Sequence, residues 1–190
     1  VTASIQPNSM RSQSANIYFP VTGSVDNAST DGKLHFKRDN NTSKTVYSGA
    51  YVGGPLIQDK LFMFVAVDKT VTDTGVSSAQ TSATLGTDGW TTRNNDNLRY
   101  LAKFDWNIND DHRLEWTSIG DNTTAKVATY GYVNQQSNGV KYSEYSAKNA
   151  GATGMESNAL KYTGQLTDNL VLSSVFGIGK TPRATSYENY

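Results

Sequence analysis

Six charged residues occupy alternate positions in strand-like stretches of this 190-residue chain: Arg99, Lys103 and Asp105, then Arg113 and Glu115, then Lys161. In an extended chain such spacing puts the charges on one face, where they pair across strands or meet a polar solute moving past. Plain cross-strand pairing needs the fewest further assumptions, because exposed pairs specify little. Acid–base chemistry is the sharper alternative, with Asp105, Asp110 and Asp111 as paired carboxylates. That work requires a pocket that drives two pKa values apart, and a turn plus a polar face account for these aspartates without one. His35 and His112 are the only histidines and lie far apart, so no ligand spacing for zinc exists, although either can join a metal carried by a substrate. The run Gly177-Ile178-Gly179-Lys180-Thr181 resembles the end of a phosphate loop. Ser174 stands where that loop needs its first Gly, and Pro182 opposes the helix that must follow. No Gly-x-Ser-x-Gly elbow is present. The expectation is a chain with no catalytic residue, no metal site and no cofactor.

Four tyrosines suggest binding instead. Tyr130, Tyr132, Tyr142 and Tyr145 fall in the longest polar stretch, 122–157. Aromatic loop tips commonly contact ligands, and they equally pack a loop against itself. Asn27-Ala28-Ser29 and Asn122-Thr123-Thr124 fit the glycosylation pattern, a short match that carries little meaning by itself.

Composition points to strands as the elements that position these residues. Hydrophobic residues make up 36%, with eleven Tyr, three Trp and sixteen Gly beside abundant Thr, Ser and Asn. Aromatic and β-branched residues suit a pleated surface, while Gly and Asn suit turns. Lys plus Arg and Asp plus Glu both count 17, so no basic face is available for nucleic acid. There is no cysteine, which excludes disulfides and thiolate metal sites. No apolar run approaches the roughly 20 residues of a transmembrane helix. No signal peptide is visible at Val1-Thr2-Ala3, so the expectation is a processed chain or an internal part of a longer one.

Three hairpins are expected, at 47–68, 97–121 and 159–179, with turns through 54–59, 107–111 and 166–169 where Pro, Gly, Asn and Asp collect. The second alternates most cleanly. Leu98, Tyr100, Ala102, Phe104 and Trp106 oppose Arg99, Leu101, Lys103 and Asp105, and on the return strand Leu114 and Trp116 oppose Arg113 and Glu115. In the third, Leu160, Tyr162 and Leu166 oppose Lys161, Thr163 and Gln165. The first is blurred, since Leu61-Phe62-Met63-Phe64-Val65 is apolar on both faces. Residues 1–46 read as a loop-rich segment with one or two short strands, 69–96 and 122–157 as long loops, and 180–190 as the start of another. Compact domains rarely need several such loops. Transmembrane barrels use them outside the cell and keep short turns at the other end. The fold expectation is therefore all-β, with antiparallel amphipathic hairpins forming part of a transmembrane β-barrel wall. A soluble β-sandwich is the alternative, as a secreted or cell-surface domain that binds glycan or protein through its aromatic loops.

Two segments carry a family resemblance. Tyr51-Val52-Gly53-Gly54-Pro55-Leu56-Ile57-Gln58-Asp59-Lys60-Leu61-Phe62-Met63-Phe64 resembles the GGP-x-x-x-DKLFFF segment of TonB-dependent receptors of the Oar-like subgroup. Leu98–Asn107, followed by Asp110-Asp111-His112-Arg113-Leu114-Glu115, is similar to a later hairpin of that family, K-x-D-W running into N-D-x-H-x-L. The resemblance covers roughly 47–178. It implies a Gram-negative outer-membrane protein that takes up a scarce or large substrate with energy from TonB. Arg99, Lys103, Asp105, Arg113, Glu115 and Lys161 would then face the lumen. The partners implied are outer-membrane lipid, a plug domain, the remaining barrel strands, and TonB acting through the plug. About six strand-like segments fall short of the eight or so that closure needs, so a fragment of the barrel is expected.

Overall fold

The computed structural model describes residues 1–18, 20–21, 32, 34–36, 38–39, 41–77, 89–132 and 142–188, with the side chains at 34–36, 89–90, 129–132, 142–150 and 187–188 left aside. The chain is all-β. Its strands are β1 (Thr2–Gln6), β2 (Ile17–Tyr18), β3 (Leu34–Phe36), β4 (Thr42–Ile57), β5 (Leu61–Ser77), β6 (Gly89–Asn107), β7 (His112–Tyr132), β8 (Tyr142–Thr167), β9 (Leu170–Lys180) and β10 (Arg183–Glu188). A single 3-10 turn, Asn8–Met10, is the one helical element among the described residues. β2 and β3 form a small ribbon of their own. The remaining strands make one antiparallel sheet in the order β1-β4-β5-β6-β7-β8, with β9 and β10 both on β8.

The three expected hairpins are present, with tighter turns. Gly54 and Pro55 belong to β4, and the first reversal falls at Gln58-Asp59-Lys60. There Lys60 N–H donates to the Ile57 carbonyl at 3.1 Å, and Asp59 takes a left-handed φ of 60°. Aspartate is among the few residues that adopt it cheaply. Pro55 is tolerated because β1 covers β4 only at Thr45–Gly49, which leaves Pro55 on an open edge. In the second turn, Ile108 N–H donates to the His112 carbonyl and Asn109 Oδ1 accepts from Asp111 N–H. The third is reduced to Asp168 and Asn169.

The long loops expected at 69–96 and 122–157 are largely strand. β6, β7 and β8 run for 19, 21 and 26 residues, about twice what a membrane crossing needs. The polar stretches pair residue by residue, for instance Thr72 with Asn95 and Thr124 with Ala152. Their sequences show no alternation because neither face there is apolar, while β-branched Thr still suits the pleat. The stretch 180–190 likewise contains a strand: β10 keeps the register of β9 on β8, Lys180 opposite Glu156 and Arg183 opposite Thr153. The two are one strand interrupted at Thr181-Pro182, where proline cannot donate to the ladder.

One row of partners crosses the sheet through Leu61, Trp106, Leu114, Tyr162 and Ser174. The first hairpin ends its ladder on this row at Leu61, whereas the second continues to Asn107–Arg113 and the third to Thr167–Leu170. The turns therefore step past the row in one direction, by about one residue per strand, as tilted strands do.

The sheet is a single layer. Apart from isolated contacts, each of its strands packs only on its ladder neighbours and, at β4, on the 3-10 turn. No apolar side chain is buried among the described residues: the buried positions are Gly75, Ser77, Ser118, Gly120 and Gly164. The two-sheet core of a sandwich is thus missing from the described residues.

Candidate functional site

Because the register is continuous from β4 to β9, each residue can be assigned to a face. One face carries Met63, Val65 and Val67, then Leu98, Tyr100, Ala102, Phe104 and Trp106, then Leu114 and Trp116, then Leu160 and Tyr162, then Leu172, Phe176 and Ile178. Phe104 and Trp116 sit opposite each other with ring centroids 5.6 Å apart. His112 and Tyr162 stack at 5.9 Å and share a 2.7 Å hydrogen bond beside the second turn. Further from the turns the same face turns polar. Lys69 Nζ meets Asp96 Oδ2 at 2.9 Å, Asn94 donates to Asp73 at 2.6 Å, and Asn122 donates to Glu156 at 3.0 Å.

The opposite face holds all six expected charged residues. Asp105 stands opposite Glu115, and Glu115 opposite Lys161. Lys103 reaches Asp105 at 3.0 Å and Glu115 at 3.7 Å, Arg113 reaches the same two carboxylates at 3.3 Å, and Lys161 reaches Glu115 at 3.7 Å. The result is a five-membered ladder in which two carboxylates lie low and three longer cations close over them. Arg99 stands apart, its Nε donating to Asp68 at 2.9 Å. Asn97 extends the polar face by donating to Asp121 and Thr123, both at 2.7 Å. Exposed pairs of this kind contribute about 0–1 kcal/mol each. What the ladder offers is a wettable surface of alternating charge.

The four tyrosines expected in a loop are strand residues by backbone: Tyr130 pairs with Tyr145 and Tyr132 with Tyr142 across β7 and β8. Their side chains, like that of His35, lie outside the described residues, as does Asn27-Ala28-Ser29. The aspartates Asp110 and Asp111 occupy the second turn, and Asp111 uses its backbone carbonyl to accept from Gln165 N–H at 2.9 Å. Gly177-Ile178-Gly179-Lys180 lies in β9, and no helix follows it among the described residues. No group of three or more His, Cys, Asp or Glu among the described residues is placed to hold a metal ion.

Sequence reasoning missed three features. Asp68 is the partner of Arg99, and only the register reveals it, since the first hairpin is apolar on both faces. Phe62 and Phe64 stand on the charged face, where Phe64 stacks with Tyr51 at 6.3 Å. The Tyr100 ring covers Gly120, a pairing that needs the β6–β7 offset to be known. Set against known proteins, the chain matches no family model, no curated protein and no solved structure.

Proposed function

We propose that this chain is a wall segment of an outer-membrane β-barrel transporter, of the TonB-dependent, Oar-like kind that its two hairpin motifs resemble. The observation that carries the reading is the single-layered sheet with one apolar face and, among the described residues, no buried apolar side chain. Such a face is stable only when something apolar covers it. Lipid suits it because the apolar band is confined to the turn-proximal part. On β6 it runs from Leu98 to Trp106, roughly 26 Å along the strand at about 3.3 Å per residue. That is close to the apolar belt of about 25 Å found on outer-membrane barrels, with the tilt shortening it somewhat. A stagger of about one residue per strand corresponds to a tilt of roughly 35°, within the barrel range. Trp106, Tyr162 and His112 gather at the turn end of the band, where interfacial aromatics belong.

On this reading the short turns face the periplasm, the polar strand extensions stand outside the cell, and the charged ladder faces the lumen. The wall does no covalent chemistry. It guides a substrate inward while a plug and TonB gate and drive the movement. The test is lipid contact. With the protein refolded into vesicles whose acyl chains carry bromine, fluorescence of single-tryptophan versions retaining Trp106 or Trp116 is expected to be quenched strongly. Unquenched fluorescence, or a monodisperse soluble protein without detergent, defeats the proposal.

A further inference from the structure

On the charged face, where β1, β4, β5 and β6 come together, there is a shallow niche of about 260 Å³ that the ion-pair ladder does not touch. Tyr47, Tyr51, Asp68, Arg99 and Leu101 line it around Gly49. We propose that this niche binds a single ring of a neutral saccharide.

The Tyr47 hydroxyl lies over residue 49 and forms part of the floor, which it can do because that residue has no side chain. A Cβ there would lie 2.9 Å from the Tyr47 hydroxyl and 3.3 Å from both Thr2 Oγ1 and Asp68 Cβ. One wall is aromatic. Tyr51 is 70% exposed yet held in place, its ring stacked on Phe64 at 6.3 Å and 30°. A large aromatic ring left open to water beside a charged pair offers a flat contact surface to something partly apolar.

The other wall is the Asp68–Arg99 pair. Only Arg99 Nε and Asp68 Oδ1 are engaged with each other, at 2.9 Å. The guanidinium amino groups and the second carboxylate oxygen make no other hydrogen bond or ion pair among the described residues. Donors beside an acceptor, on a pair already neutral, suit a ligand whose groups both donate and accept and which carries no charge. A pyranose combines these properties. Its C–H face lies on the Tyr51 ring while neighbouring hydroxyls address Arg99 and Asp68. The volume is just under the roughly 300–1,000 Å³ of sites for larger molecules, which limits the niche to one ring. This inference does not depend on the membrane reading.

Saturation-transfer NMR tests it on the protein folded in lauryldimethylamine oxide, a detergent without a sugar headgroup. The probes are the methyl α-pyranosides of glucose, galactose and mannose, with benzoate as a charged aromatic control. At least one glycoside is expected to saturate in the millimolar range, and Tyr51→Ala and Arg99→Gln each to weaken it about tenfold, with Tyr51→Phe near the parent. Tyr51 and Arg99 are exposed, so these changes leave the sheet intact. The proposal fails if no glycoside saturates, if both Tyr51→Ala and Arg99→Gln bind like the parent, or if benzoate alone binds.

Discussion

The ring of Tyr100 occupies the space that a side chain at residue 120 would need, and Tyr100 and Gly120 face each other directly in the β6–β7 ladder. Gly120→Ala therefore has to displace the ring or the strand. The expected loss is about 1–3 kcal/mol, the usual cost of overpacking, read as a lower urea midpoint in micelles. Adding Tyr100→Ala should return part of that loss, because the two changes share one contact. An unchanged midpoint in Gly120→Ala would show that the ring is free to move.

The charged ladder should be worth little to stability. Glu115 touches Lys103, Arg113 and Lys161, yet all three cations are well exposed. Glu115→Gln is expected to cost about 1 kcal/mol or less at low salt, and nearly nothing at high salt. A loss of several kcal/mol in urea titration would mean that the face is dry in the folded protein.

The two faces should respond unequally to a new charge. Ala102 lies within the apolar band and Leu101 on the charged face of the same strand. Ala102→Lys is expected to cost about 2–4 kcal/mol in lipid vesicles, and Leu101→Lys under about 1 kcal/mol. Equal effects on the folded fraction would remove the distinction between lipid and lumen.

The strand extensions give a third kind of test. Backbone amides at 70–76, 91–97 and 123–128 lie in continuous ladders and should exchange slowly in deuterium exchange, whereas polar loops exchange within seconds. Fast exchange there, with protection only near the turns, would restore the loop reading.

The hairpins were legible wherever one face is apolar. Leu98 to Trp106 alternate, and the structure keeps that alternation residue for residue. The extensions were not legible, because in water Thr70–Asn97 or Thr123–Thr153 pairs need no hydrophobic period, only a ladder to continue. The charged candidates could be read from parity within single strands. Their partners across strands could not, since Asp68 meets Arg99 only once the offset between β5 and β6 is known. Tyr51 was hidden likewise, its face undefined in a hairpin apolar on both sides.

The collinearity of β9 and β10 bears on how the sheet can be completed. Taken as one strand, they make the described sheet seven strands across, from β1 to β10. In an antiparallel meander with an odd count, the two outermost strands run the same way. The β1 and β10 edges therefore cannot zip together in antiparallel fashion, however strongly the sheet curls. Antiparallel closure on those edges takes an odd number of additional strands, so under the barrel proposal the strands that complete the sheet must be odd in number.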